Sequence, residues 1–235
     1  MSVYLEGMST LPLLTSTDAV AGLHQLCERY PEQVVFTTSL GLEDQALTDL
    51  IAHHDLPVRL VTLDTGRLFP ETYDLIDRTR AKYRNVRLTS YFPDTATLEE
   101  FVNEQGMSAI FQSIEARKAC CKIRKIDPLK RALEGAAVWV TGLRAAQSDN
   151  RATLPRLEYD GMTGLIKFNP LVDWTDSELD TYVNSNSVPT NSLHRKGFPS
   201  IGCAPCTRAV LEGEHPRAGR WWWEQSSKEC GLHKG

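Results

Sequence analysis

Hydrophobic residues in the first 170 positions follow two spacings, one typical of strands and one typical of helices. Short β-branched runs predict buried strands. The predicted strands cover 34–39, 58–63, 86–91, 136–141 and 165–168. Between these runs, apolar residues recur every three or four positions, as at Val20, Leu23, Cys27 and Tyr30. Because single helices separate the strands, we predict an α/β, doubly wound, mostly parallel sheet covered on both faces.

Capping signals set the predicted helix boundaries. Ser16 or Thr17 is expected to cap the first helix, and Pro70 suits the first position of another. The remaining signals are capping boxes at 97–100 and 175–178, a stop at Gly106, a helix over about 108–124 and a new start at Asp127–Pro128. After about Pro189 the periodicity fades, which indicates a less regular C-terminal segment.

Ligands of such sheets bind beyond the carboxyl ends of the strands. The candidate binding loops are therefore 39–44, 64–69 and 142–151. The loop 39–44 begins a helix, and backbone N–H groups at a helix start suit an anion.

Composition excludes several classes of function. The 235 residues are 41% hydrophobic and carry 26 basic against 30 acidic side chains, a net charge of −4. This balance disfavours binding to a nucleic-acid polymer or to a membrane surface. No apolar run approaches the roughly 20 residues that span a bilayer, and the first residues lack a secretory leader pattern. We expect one domain over 1–235, located in the cytoplasm, with a mobile tail over 221–235.

Six cysteines stand out in such a chain, because a cytosolic setting disfavours a disulfide framework. Cys27 falls on an apolar helix face and suits the core. Cys203 and Cys206 form a C-x-x-C, which presents two thiolates to one metal. The adjacent pair Cys120 and Cys121 diverges by about 100° on a helix, which disfavours zinc and favours an iron–sulfur cluster, whose irons each take one cysteine. Zinc and free core thiols remain as alternatives.

The chain around the cysteine doublet is strongly basic. Residues 115–131 contain seven basic and two acidic side chains. Some of these, such as Lys118, Lys122 and Lys130, are equally well explained as a solvated helix face. Arg124 and Lys125 follow the doublet by three and four residues, and this placement predicts a site for an anionic substrate.

Cys230 lies five residues before the C-terminus, where burial is hard to achieve. Neighbouring Lys228 and His233 would lower its pKa and favour a nucleophilic thiolate. The alternative is that Cys230 is a surface thiol with no role in catalysis.

Several short motifs are informative only in combination. They are Cys120-Cys121 with Ile123-Arg124-Lys125, Gly202-Cys-Ala-Pro-Cys206-Thr-Arg208, Arg217-Ala-Gly-Arg220-Trp-Trp-Trp-Glu224, Glu229-Cys-Gly-Leu-His233, Leu63-Asp-Thr-Gly-Arg67, Gly142-Leu-Arg144, Gln147-Ser148, Arg151 and Asn169-Pro-Leu171. Together they resemble the assimilatory adenylylsulfate reductases of the PAPS/APS reductase family. The resemblance covers nearly the whole chain from about Val34.

The resemblance implies reduction of adenosine 5′-phosphosulfate (APS) to sulfite and AMP, with thioredoxin as the reductant. Cys230 would attack the sulfate sulfur, expel AMP and carry the sulfite as a thiosulfonate. It also implies a fold of the adenine nucleotide alpha hydrolase-like type. The implied ligands of a [4Fe–4S] cluster are Cys120, Cys121, Cys203 and Cys206. The expected substrate-binding residues are Ser39, Gly41, Thr65, Lys125, Arg144, Arg151, Arg217 and Arg220.

Two features bear on the choice of substrate. The loop 39–44 lies where nucleotide-cleaving relatives of this fold have a pyrophosphate cradle, and Glu43 and Asp44 would repel a pyrophosphate. The same two residues are equally well explained as first-turn helix acids. In the family that the chain resembles, enzymes with four cluster cysteines commonly use APS, which lacks a 3′-phosphate. APS is therefore favoured over its 3′-phosphorylated form (PAPS), and use of both substrates is left open.

Other interpretations remain open from the sequence. One is a related enzyme that transfers sulfur to a nucleotide in RNA, and another is a non-catalytic zinc module that recognises anions. The run Trp221–Trp223 is interpreted either as a buried wedge or as a docking surface for thioredoxin or a second subunit. A homo-oligomer is also left open.

Overall fold

The computed structural model of the protein describes residues 11–147 and 151–224. Its sheet has six strands in the order β3-β2-β1-β4-β6-β5. The strands are β1 Val34–Thr38, β2 Arg59–Leu63, β3 Leu88–Tyr91, β4 Val138–Val140, β5 Leu157–Asp160 and β6 Leu165–Phe168. All neighbouring strands pair in parallel except β5 and β6. The predicted doubly wound, mostly parallel α/β fold is confirmed, and β5 is the strand that the sequence did not predict.

Helices cover the sheet between its strands. They are α1 Ala19–Arg29, α2 Leu42–His53, α3 Pro70–Lys82, α4 Thr95–Gln105, α5 Ile114–Cys121, α6 Asp127–Ala132 and α7 Asp176–Ser185. The start of α3 at Pro70 and the capping box of Thr175 and Glu178 are confirmed. None of the helices in the described ranges is long and apolar enough to cross a membrane.

Three predicted helix starts are wrong. Asp18 caps α1 through a hydrogen bond from the Ala21 N–H, in place of Ser16 or Thr17. Asp94 caps α4 in the same way, so the 97–100 capping box does not form. The predicted 108–124 helix is a short 3₁₀ turn followed by α5, which begins after the cap Ser113. In each case the cap is a short polar residue with extended backbone, the conformation that capping requires.

The core positions the loops at one edge of the sheet. The residues of β4 and most of those of β1 are buried, so helices pack on both faces. Strands β2 and β3 lie on one side of β1, whereas β4 and β6 lie on the other. The boundary between β1 and β4 is therefore the topological switch point, and a crevice is expected at its carboxyl end.

The C-terminal segment after α7 is irregular, as predicted. As far as Glu224, its local structure consists of the 3₁₀ turns Ser192–Lys196 and Ala204–Cys206 and a β-bridge between Thr207 and Arg220. Trp221 is 1% exposed and Glu224 is also buried, whereas Trp222 is 42% exposed. The mobile tail predicted over 221–235 stays a prediction.

Candidate active site

A cavity of about 810 Å³ opens at the switch point. The loops that follow β1, β2 and β4 form its walls, together with the start of α7 and parts of the C-terminal segment. The predicted substrate-binding residues that line it are Ser39, Thr65, Lys125, Arg144, Arg151, Arg217 and Arg220. Gly41 does not line it but lies at the N-cap of α2. A more open cavity of about 640 Å³ beside α3 and α7 contains none of these residues.

One side of the cavity is formed by the acidic start of α2. The carboxylate of Asp44 accepts hydrogen bonds from the N–H and the Oγ of Ser39, at 2.5 and 2.7 Å. Asp44 is buried, and desolvation raises its pKa to about 6 despite the Ser39 hydrogen bonds. A Cβ at Gly142 would lie 2.0 Å from Asp44 Oδ1. The Asp44 carboxylate therefore packs against the backbone of the loop that follows β4.

Arg144 belongs to this same wall. Its Nη2 lies 2.9 Å from Glu43 and 2.7 Å from Asp176, and its Nη1 donates to the carbonyl of Trp174. The side chain is only 4% exposed. Arg144 thus uses several of its donors to join α2 to the start of α7. Arg151 donates to Gln147 and is attracted by the carboxylate of Asp44.

Another part of the cavity wall, here called the cationic side, is lined by Lys125, Arg217 and Arg220. Arg220 is buried, and its Nη1 donates to Ser200 Oγ at 3.2 Å. A Cβ at Gly202 would lie 2.3 Å from Arg220 Nη2, so the absence of a side chain there makes room for the guanidinium. This end therefore offers several cationic groups to an oxyanion.

The four candidate cluster cysteines lie behind the cationic side. Cys120, Cys203 and Cys206 are buried in one apolar cluster with Ile110 and Trp221. Cys121 is partly exposed, and its charge acts on Cys206. None of the four forms a disulfide within the described residues. No three Cys, His, Asp or Glu side chains within 11–147 and 151–224 are arranged to share one metal ion.

The surroundings of the cysteines differ in charge. Burial, together with the neighbouring Cys203 and Cys121, raises the pKa of Cys206 to about 12. Burial also acts to raise the pKa of Cys203, but the Lys125 cation and a Thr65 hydrogen bond outweigh it, so this pKa is lowered. Thr65 Oγ1 lies 3.2 Å from Cys203 Sγ. Thr65 and Lys125 thus connect the cavity to the cysteines.

Comparison with known proteins identifies the family. The model of the phosphoadenosine phosphosulfate reductase domain matches residues 33–209. The chain belongs to this reductase family. Its curated relatives include two proteins named adenosine 5′-phosphosulfate reductase. The one from Allochromatium vinosum is 49% identical over 96% of this chain and 87% of that protein. The one from Sinorhizobium fredii is 52% identical over 86% of this chain and 80% of that protein. The resemblance stated from the sequence motifs is thereby confirmed.

Solved structures agree with this family assignment. A phosphoadenylyl-sulfate reductase from Candida auris, crystallised as a phosphate complex, superposes with a TM-score of 0.69 and 29% identity over 82% of this chain and 90% of that chain. An FMN adenylyltransferase from Candida glabrata superposes with a TM-score of 0.55 and 14% identity over 100% and 83%. The second likeness shows the fold alone, which is of the predicted adenine nucleotide alpha hydrolase-like type.

Within this reductase, two features of the site were missed in the sequence. Residues Lys122–Ile126 form a π-helical turn directly after the cysteine doublet. This turn buries Arg124, whose Nη1 donates to the carbonyl of Thr65, and places Lys125 in the cavity wall. π turns occur frequently at functional sites, but five residues of mixed polarity do not predict one.

The other missed feature is His194, which also lines the cavity. Its Nδ1 lies 2.9 Å from the carbonyl of Phe198, and burial lowers its pKa. A single histidine in an irregular segment offers no spacing signal. The predicted nucleophile Cys230 lies outside the described residues.

Proposed function

We propose that this protein reduces APS to sulfite and AMP. The observation that carries the proposal is the cavity at the switch point, whose cationic side of Lys125, Arg217 and Arg220 adjoins four cysteines. Relatives about half identical over most of the chain carry the name of that activity. The chain would accordingly be an oxidoreductase acting on a sulfur group, in sulfate assimilation.

The two sides of the cavity favour one orientation of the substrate. The phosphosulfate is expected at the cationic side, where Arg217 and Arg220 bind its oxygens and Lys125 adds a third positive charge. The nucleoside is expected toward Glu43 and Asp44, because a phosphate there would meet carboxylates. Ser39 lies beside Asp44, and Thr65 lies beside Cys203 near Lys125. Arg144 and Arg151 shape the wall around the nucleoside.

Cys230 is the proposed nucleophile. Its thiolate attacks the sulfate sulfur, so an S–S bond forms while the sulfur–oxygen bond to AMP breaks, and AMP leaves with the bonding electron pair. The cations of the site neutralise the phosphate and make AMP a better leaving group. A thioredoxin thiolate then attacks Cys230 Sγ and expels sulfite, and the second thioredoxin thiol closes the disulfide. Thioredoxin thus supplies both electrons.

Cys120, Cys121, Cys203 and Cys206 are the residues proposed to hold a [4Fe–4S] cluster. Four cysteine side chains around a buried apolar site, with Arg117, Arg124, Lys125 and Arg220 acting on them electrostatically, fit an anionic group. Cys120 and Cys121 are adjacent on α5 and diverge by about 100°, which suits a cluster whose irons each take one cysteine better than one zinc ion. When bound, the cluster would supply a structural cross-link and a local negative charge beside Lys125.

A second candidate substrate is PAPS. It is favoured by the superposition on the Candida auris enzyme, whose name specifies that substrate. The carboxylates of Glu43, Asp176 and Asp180 in the cavity wall oppose a further phosphate and favour APS.

A coupled assay tests the proposed activity. Sulfite release is measured with reduced thioredoxin and either APS or PAPS as substrate, on protein prepared without oxygen. We expect faster release from APS, no release without thioredoxin, and none from the Cys230→Ser variant. Full activity of that variant would contradict the proposed nucleophile. Iron and zinc contents measured on the same sample decide between an iron–sulfur cluster and zinc.

A further inference from the structure

The last described residues are fixed by a buried ion pair. Arg117 Nε and Nη2 donate to the two carboxylate oxygens of Glu224, both at 2.8 Å. The two side chains are 6% and 4% exposed. A bidentate, desolvated pair of this kind holds its partners in one geometry, and loss of either partner leaves an uncompensated buried charge.

The same arginine also holds Trp221. The guanidinium of Arg117 lies 4.8 Å from the Trp221 ring centroid, and that of Arg220 lies 4.9 Å from it. The Trp221 N–H donates to the carbonyl of Cys206 at 3.1 Å. Trp221 is therefore held by α5 through Arg117 and by the substrate cavity through Arg220.

This anchor lies close in sequence to the proposed nucleophile. Cys230 is the sixth residue after Glu224, and six residues span at most about 20 Å. If Glu224 were released, the next fixed point would be Trp223, whose ring lies 4.5 Å from that of Phe111, so the connection would lengthen by one residue. Chain length alone would therefore lower the local concentration of the thiol at the cavity by less than about 1.5-fold. Loss of the fixed direction of the chain at Glu224 would reduce productive encounters further.

We infer that Arg117 and Glu224 are a positioning pair that fixes the base of the Cys230 segment relative to the cationic side of the cavity. The pair acts through Cys230 and does not touch the substrate itself. It contributes to the rate at which the thiolate reaches the sulfate sulfur, and it leaves nucleotide affinity unchanged. This inference rests on the proposed function.

The variant Glu224→Gln tests the pair with little change in shape. Adduct formation is followed by intact-mass analysis after rapid mixing with APS in the absence of thioredoxin, and AMP affinity is measured by calorimetry. We expect adduct formation to slow about tenfold or more, while AMP affinity and iron content stay within about twofold of the wild type.

The matched control is Glu214→Gln. Glu214 forms a bidentate pair with Arg208 in the same irregular segment, at 2.7 and 2.8 Å, but that pair is about one-third exposed and outside the cavity. We expect adduct formation at the wild-type rate. Equal slowing by both variants would overturn the inference, because it would show general loosening of the segment.

A second design keeps the test valid if Glu224→Gln folds poorly. Four, eight or twelve glycine and serine residues are inserted directly after Glu224, which leaves the ion pair in place and lengthens the connection to Cys230. We expect adduct formation to slow progressively with insert length, at constant AMP affinity. A rate independent of insert length, or a loss of AMP affinity in Glu224→Gln, overturns the inference. Absence of any adduct in the wild type would instead contradict the proposed function.

Discussion

At the scale of single residues, the cationic side of the cavity depends on a glycine beside it. A side chain at Gly202 would collide with the end of Arg220, which is a flexible side chain that can move aside. In contrast, a Cβ at Gly41 would make only ordinary contacts, at 3.5 and 3.8 Å. The two glycines therefore form a matched pair for testing which residues support substrate binding.

We predict that Gly202→Ala weakens APS and AMP binding about tenfold, because it displaces a charged hydrogen-bond donor from the site. Gly41→Ala should change either affinity less than about twofold, because Gly41 lies outside the cavity wall. Calorimetric titration with AMP measures both, and iron content confirms that Cys203 is still in place. Equal affinities of the two variants would contradict the placement of Arg220 in the binding site.

Asp44 provides a prediction that depends on pH. Its pKa in the folded protein, about 6, exceeds the ordinary value of 3.8 because burial disfavours the charged carboxylate. Between these pH values the folded state binds more protons than the unfolded state, so the contribution of this group to stability falls as pH rises through that window. Above pH 6 the loss approaches an upper limit of about 3 kcal/mol.

We therefore expect Asp44→Asn to gain stability relative to the wild type as pH rises from 4.5 to 7.5. The difference in urea unfolding midpoints between the two proteins measures this gain. A difference that stays constant with pH, or one that shrinks toward pH 7.5, would contradict a raised pKa for Asp44.

At the scale of elements, the structure shows which local signals decide a helix start. Asp94 Oδ1 accepts from both the N–H and the Oγ1 of Thr97, at 3.0 and 2.8 Å. The N–H of Thr97 holds the pKa of Asp94 below its ordinary value, so the cap is complete at neutral pH and is lost as pH falls through that pKa. Thr97, the cap expected from the sequence, lies inside α4, whereas Asp94 has the extended backbone that a cap requires.

We predict that Asp94→Ala destabilises the protein measurably at pH 7, because it removes the N-cap of α4. Glu100→Ala should change stability by less than about half of that, because Glu100 is exposed and does not serve as the third residue of a capping box. Urea unfolding of both variants measures the difference. A larger loss of stability in Glu100→Ala than in Asp94→Ala would indicate that Thr97, and not Asp94, is the N-cap of α4.

The parallel strands, and with them the loops at their carboxyl ends, were predictable because buried parallel strands are continuous apolar runs. Strand β5 was not, since the run Leu157–Asp160 is an edge strand with mixed polarity and mostly partial burial. The π turn at Lys122–Ile126 gave no signal either, because its residues would suit an ordinary helix equally well.

At the scale of the whole molecule, the candidate site combines parts with very different sequence separation. Of the eight binding residues predicted from motif resemblance, seven line one cavity. The contact of Arg117 with Glu224 spans 107 residues and could not be foreseen, because neither residue lies in a pattern that points to the other. The same limit applies to Arg144, whose pairings with Glu43 and Asp176 span 101 and 32 residues.

The central claim is that Cys230 attacks a phosphosulfate held at the cationic side of this cavity. Anaerobic protein is mixed with APS in the absence of thioredoxin, and the intact protein and its proteolytic peptides are weighed by mass spectrometry. We predict one added SO₃ group per chain, located on the peptide that contains Cys230 and removed by reduced thioredoxin with release of sulfite. Sulfite release without any adduct, or an adduct on another cysteine, would contradict the account.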